Sequence, residues 1–268
     1  MTNLTLNRTV RMTIPSGPNA LYSGVNTHAG TPLSVSMGAF YEFQVSCMGP
    51  RAEDTGFIFS IYDIDKAVRT EFPEPLSIAL AVGENPVSVL PRLYELLSDA
   101  IGRSPDHLRW TLNPFHHLEI GAHDMNTVIM TRHYTFSSSH RLVCSDRDAA
   151  GNFELFGKCS LPNGHGHNYT LVVHVRIPTD PSIGPDVLDV DAIVMEHVVN
   201  LFDHQNLNLD IEYFKDLNPT LENITVRCHE LLEPAFSGTG ASLERVDVWE
   251  TERTSCSCRT PSPASGSS

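Results

Sequence analysis

No stretch of this chain is apolar for long enough to cross a bilayer, and residues 1–20, which include Asn3, Asn7, Arg8 and Arg11, lack the continuous apolar core of a signal peptide. The expectation is a cytoplasmic protein with no membrane partner. Cationic side chains are scarce, 18 Lys and Arg against 32 Asp and Glu, for a formal charge of −14. Binding to a phosphate backbone needs clustered Lys and Arg, so nucleic acid is not an expected partner. A small phosphorylated ligand remains compatible, because one pocket can be basic on an acidic protein. Cysteine is sparse too: six residues scattered from Cys47 to Cys258 make no disulfide framework, and a reducing compartment suits a reactive thiol.

What is present begins with length. At 268 residues the chain can form one large domain or two of ordinary size. An internal repeat favours two. His167-Asn-Tyr-Thr-Leu-Val-Val-His-Val leads through a Pro/Gly turn to Val187–Ile193 and a helical stretch ending near Phe202. Ala39-Phe-Tyr-Glu-Phe-Gln-Val leads through Gly49-Pro50 and Gly56 to Ile58–Ile64 and a similar stretch ending near Phe72. Asn85-Pro86 and Glu95-Leu-Leu then match Asn218-Pro219 and Glu230-Leu-Leu, and each half closes in a strand, near 108–112 and 243–249. The expected boundary lies near residue 127, giving a first domain over 1–127, a second over 128–259 and a disordered Pro/Ser/Gly-rich tail over 260–268.

Each half reads as paired antiparallel strands with two helices on one face, an α+β unit. Alternation at Tyr169, Leu171, Val173 and Val175 marks a half-buried strand, whereas Ile193, His197, Val198 and Leu201 fit one helix face. Asn218 followed by Pro219 reads as a helix start.

Chemistry concentrates between residues 140 and 167, where three imidazoles and a thiol occur: His140, Cys159, His165 and His167. On an extended strand His165 and His167 project to the same face, and His140 closes an alternating stretch from His133 that can pair beside it. Three neutral imidazoles with an open fourth position are the ligand set of a catalytic zinc. Each signal alone has a plainer reading: a Cys is often a small buried hydrophobe, an Asp-His pair such as Asp203-His204 often a helix end, and Cys256-x-Cys258 a solvent-facing pair near the terminus. The repeat supplies an internal control. Aligning Tyr41 with Tyr169 sets Met37 opposite His165 and Ala39 opposite His167, and no histidine in 13–21 replaces His140, so the first half lacks the ligands.

Five blocks, Phe136-Ser-Ser-Ser-His-Arg-Leu, Leu155–Tyr169, Phe202-Asp-His-Gln-Asn-Leu-Asn208, Asn218-Pro-Thr-Leu-Glu-Asn223 and Trp249-Glu-Thr251, together resemble the 6-pyruvoyl-tetrahydropterin synthase family from about residue 131 to 259. The resemblance implies the tunnelling fold, in tandem here with a degenerate first unit. It implies zinc held by His140, His165 and His167, Cys159 as general base with Asp203 and His204 completing a triad, Glu250 anchoring the pterin, and Thr220 near it. It further implies a small pterin triphosphate as substrate, 7,8-dihydroneopterin triphosphate, and a lyase reaction that eliminates triphosphate. The related 6-carboxytetrahydropterin synthase of queuosine biosynthesis uses the same substrate and is the alternative; a non-catalytic pterin-binding protein is a second. In the family the Asp-His pair reaches the site from a neighbouring unit. The repeat puts Pro73 and Glu74 opposite Asp203 and His204, and Pro114 opposite Glu250. A ring alternating the two halves would therefore lack a complete site. The resulting expectation is a homo-oligomer, a trimer with one catalytic and one structural ring, against a competing four-unit ring.

Overall fold

The computed structural model describes residues 3–16, 32 and 37–261. Part of the first-half stretch 13–21, and the expected disordered tail beyond residue 261, lie outside the described residues. The chain forms two compact units, one of residues 1–130 with 177–184, the other of 131–176 with 185–268.

In the first unit, β1 (Leu4–Pro15) and β2 (Gly38–Gly49) pair antiparallel with Val10 opposite Phe43. Every second residue is buried, Val10, Met12 and Ile14 on one strand and Phe43, Val45 and Cys47 on the other, as the two-residue strand period requires. Three helices follow: α1 (Ile61–Glu71), α2 (Pro73–Val82) and α3 (Pro86–Ile101). The first helical arm is thus broken where Pro73, lacking an N–H, begins a new helix after Phe72. Asn85 caps α3 by accepting from the Val87 N–H, with Pro86 at the first helical position. Strands β3 (His107–Asn113) and β4 (His116–Gly121) extend the antiparallel sheet, and Phe72 and Trp110 meet Phe43 at ring distances of 4.9 and 5.5 Å.

Strand β5 (Asp124–His140) carries the chain into the second unit. There α4 (Ala149–Phe156) and a 3-10 turn at Gly157–Ser160 precede β6 (His165–Pro178). On β6, Tyr169, Leu171, Val173 and Val175 are buried as the alternation indicated. The next helical rod comprises α5 (Val187–Val194), a π turn at Met195–Val199 and α6 (Asn200–Phe202). Its buried face is Val190, Val194, Val198 and Phe202, so of the expected set only Val198 belongs to it. Val190 and Val194 set that face before the π turn, in which the Asn200 N–H reaches the Met195 carbonyl, and Val198 and Phe202 continue it through and beyond the turn. The short β7 (Gln205–Asn206) pairs in parallel with Ser138 and Ser139 of β5, and α7 (Leu207–Asp210) leads on to α8 (Leu221–Ala235).

Asn218-Pro219 does not start α8. Thr220 caps it, accepting from the Asn223 N–H, because the Asn218 carboxamide is engaged with Val143. Strands β8 (Ser242–Thr251) and β9 (Thr254–Arg259) complete the unit, with α8 packed on both.

The ladders also refine the comparison between halves. Phe43 lies opposite Trp110 and Leu171 opposite Val248, so one step further along each register Leu112, rather than Pro114, takes the place that Glu250 holds.

Candidate metal centre and active site

Alternation on β5 turns Phe136, Ser138 and His140 into the second unit, with 2%, 4% and 1% exposure respectively. The Nδ1 atom of His140 lies 2.8 Å from the Pro219 carbonyl. A carbonyl only accepts, so Nδ1 carries the proton and Nε2 presents a lone pair. That lone pair faces its neighbours: the Nε2 of His165 is 3.2 Å away, and the ring of His167 centres 5.3 Å from that of His140 and 4.7 Å from that of His165. One ligand nitrogen from each of the three lies within 4.8 Å of the others. Gly166, between the two β6 histidines, lets the strand approach β5; a Cβ there would meet the Ser138 carbonyl at 3.1 Å.

Burial lowers the pKa of His140 and of His167, in each case as the leading cause, keeping the imidazoles in the neutral form that binds metal. His167 Nε2 is buried without a hydrogen-bond partner. Buried polar atoms left bare cost free energy, so a donor set of this kind fits a cation.

Two further groups border the cluster. Glu250 Oε1 stands 3.7 Å from His140 Nε2 and 3.6 Å from His167 Nε2. Cys159, on the 3-10 turn, places Sγ 3.8 Å from His165 Nε2. Burial, and then the Glu250 charge, raise the pKa of the Cys159 thiol.

Asp203 and His204 are built differently. After Phe202 the chain turns sharply, His204 adopting a left-handed φ of 58°. Ser137 fixes the turn from both sides: its N–H donates to Asp203 Oδ1 at 2.7 Å and its carbonyl accepts the His204 N–H at 2.6 Å. Asp203 Oδ2 pairs with His204 Nδ1 at 2.7 Å. The Ser137 N–H, then His204, hold the Asp203 carboxyl below its ordinary pKa. The His204 side chain is 83% exposed on a cavity of about 560 Å³ that also reaches His167, Asn168 and Asp210. Among the described residues no hydrogen bond or ion pair joins Cys159 to Asp203 or His204. Thr220 is half-buried, its hydroxyl occupied in capping α8.

Motif reading assigns no role to Ser137, because its part is played by the backbone, which leaves no side-chain signal. It also passes over Tyr169, fully buried beside His167 and raised in pKa first by burial and then by the charge of Glu250.

Residues 129–261 match the family model described as 6-pyruvoyl tetrahydropterin synthase. The human 6-pyruvoyl tetrahydrobiopterin synthase is 38% identical over 125 residues, covering 46% of this chain and 85% of the human protein. This chain belongs to the 6-pyruvoyl tetrahydropterin synthase family. The synthase of Drosophila melanogaster is 34% identical over 139 residues, 51% of this chain and 82% of the fly protein. Uricase from Arthrobacter globiformis aligns over 97% of this chain and 93% of its own at a TM-score of 0.51 and 9% identity, a likeness of fold alone. That fold is a tandem of tunnelling-fold units, α+β with antiparallel sheets, and family membership assigns the chain to the pterin-synthase enzymes. No helix among the described residues is long and apolar enough to cross a membrane.

Proposed function

We propose that residues 128–259 are the catalytic domain of a zinc-dependent 6-pyruvoyl-tetrahydropterin synthase, and that residues 1–127 are a degenerate unit without metal ligands. The substrate is 7,8-dihydroneopterin triphosphate, and the reaction is a carbon–oxygen lyase step that eliminates triphosphate and shifts oxidation level within the side chain. The observation that carries the reading is the convergence of His140, His165 and His167 in the unit that also holds Cys159 and Glu250. Two nitrogens bound at 2.0–2.1 Å to one tetrahedral zinc stand about 3.3 Å apart; His140 and His165 Nε2 are separated by 3.2 Å. The names carried by the relatives support the same activity.

Zinc, when bound there, supplies Lewis acidity that polarises the substrate's side-chain hydroxyls and acidifies the adjacent C–H bonds. Cys159 removes a proton from the side chain. Asp203, ionised and tied to Ser137, holds the His204 imidazole by Nδ1 so that Nε2 is free to pass a proton. Glu250 accepts the paired N–H donors on the edge of the pterin, two oxygens matching two hydrogens, and Thr220 contributes at the rim.

Asp203 and His204 serve the Cys159 of another copy in this reading, which makes the protein a homotrimer of two-unit chains, the catalytic units in one ring and the degenerate units in another. Its support is the missing link between Cys159 and His204 within one unit, together with Pro73 and Glu74 in the first. Incubation with 7,8-dihydroneopterin triphosphate, with the product identified by mass, tests the activity. A 6-pyruvoyl product absent in Cys159→Ala is expected; a 6-carboxy product, or no turnover by zinc-loaded protein, would replace this reading.

A further inference from the structure

Beyond His140 the chain leaves the sheet, and three asparagine carboxamides take over the work of the ladder. Asn208 on α7 accepts the Arg141 N–H at 2.7 Å and donates to the Arg141 carbonyl at 2.9 Å. Asn218 does the same for Val143 at 2.8 and 3.0 Å. Asn152 on α4, 4% exposed, does so for Cys144 at 2.7 and 3.1 Å. A carboxamide carries the same donor and acceptor as a peptide group, so one side chain satisfies both backbone groups of a residue as a neighbouring strand would.

The clamped segment holds two functional elements. Its first residue, Arg141, is bonded to the ligand His140. Its second, Leu142, donates its N–H to the Cys159 carbonyl at 2.9 Å, while Arg141 Nε reaches the Ser160 carbonyl at 3.0 Å. The turn bearing the thiol therefore hangs from this segment. Asn208 itself sits on the short run that starts at Asp203-His204 and pairs through Gln205 and Asn206 with β5.

We infer that Asn208 is a positioning residue for both His140 and Cys159. Through the Arg141 peptide groups it sets the height of the His140 ring above β6, and through Leu142 and Ser160 it sets the distance of the thiol. The inference rests on the metal-and-thiol reading above. Asn152, which grips the segment four residues beyond His140, is the internal control: it holds the same segment and is not adjacent to the ligand.

The test is a pair of variants in the full-length protein, Asn208→Asp and Asn152→Asp, each keeping the acceptor oxygen and turning a second oxygen toward a carbonyl that had a donor. Zinc affinity is read by chelator competition, and kcat and KM with 7,8-dihydroneopterin triphosphate. Asn208→Asp is expected to weaken zinc binding about 10-fold or more, as loss of an orienting partner does, and to lower kcat by a similar factor with KM little changed. Asn152→Asp is expected to lower the melting temperature while folded protein keeps wild-type zinc affinity and kcat. Should Asn208→Asp not fold, Asn208→Ser, whose hydroxyl can replace only one of the two bonds well, is expected to show the same losses in smaller measure. Wild-type zinc affinity and kcat in a folded Asn208 variant would overturn the inference, as would equal zinc loss in both positions. Wild-type protein that binds no zinc in the same titration would instead overturn the functional reading on which it rests.

Discussion

The Nε2 atoms of His140 and His165 lie 3.2 Å apart, while His140 commits its Nδ1 proton to the Pro219 carbonyl. Two ring nitrogens at that separation attract only through a proton or a cation between them. Elemental analysis is therefore expected to find one zinc per chain, falling to a small fraction in His165→Ala. Two per chain would contradict the picture, since Met37 and Ala39 stand where the first unit would need ligands. Chelation should lower thermal stability, the bound ion contributing about 4 kcal/mol at a free concentration 1,000 times its Kd.

Cys159 borders the cluster without belonging to it, its Sγ 3.8 Å from His165 Nε2. Cys159→Ala should lower kcat by roughly 10²–10⁴, the range for loss of a general base, and leave zinc content at the wild-type level. Loss of zinc along with activity would make the thiol a ligand instead.

His204 holds a left-handed backbone conformation that glycine adopts freely, and its side chain is mostly in solvent. His204→Gly exchanges relief of that conformation against a looser unfolded chain, so stability measured by denaturant should stay within about 1 kcal/mol of wild type. Turnover should nevertheless collapse. A variant that keeps its activity would remove His204 from the mechanism.

Asp247 lies beside His174, Arg245 and Ser257 on three adjacent strands. Burial acts to raise its pKa, and the bonds from His174 and Ser257 with the charge of Arg245 outweigh it, leaving a net lowering. A carboxyl lowered in the folded state stabilises the protein above its unfolded pKa, and that stabilisation is lost as pH falls through the folded value. Asp247→Asn should therefore be less stable near neutrality and show a shallower loss of stability between about pH 5 and 2. Parallel curves for the two proteins would show that Asp247 titrates normally.

Mass measurement in solution should give three chains per particle. A stable monomer or dimer with full activity would exclude sharing of Asp203 and His204 between copies.

Periodicity and spacing carried much of this protein. A strand buries alternate residues, so the buried face of β6 and the joint projection of His165 and His167 follow from a period of two, without knowledge of what lies opposite. The proposal that the first half is degenerate rests in the same way on Met37 and Ala39 in the repeat alignment. Tertiary structure decided the rest. The helical rod buries the stripe of Val190, Val194, Val198 and Phe202 rather than the neighbouring one through Ile193, because the choice between two adjacent apolar stripes is made by what packs against them. Thr220 displaced Asn218 as helix cap because the Asn218 carboxamide is turned toward Val143, 75 residues away, and both of its ends are engaged there. The register of β8 put Leu112 rather than Pro114 in the place of Glu250, since cross-strand pairing is a property of two strands and neither encodes it alone. The clamps of Asn208, Asn218 and Asn152, and the backbone grip of Ser137 on Asp203, depend on long-range contacts in the same way. Composition and local pattern say which chemistry is available, and only the packed chain says which atoms are already spent on holding it in place.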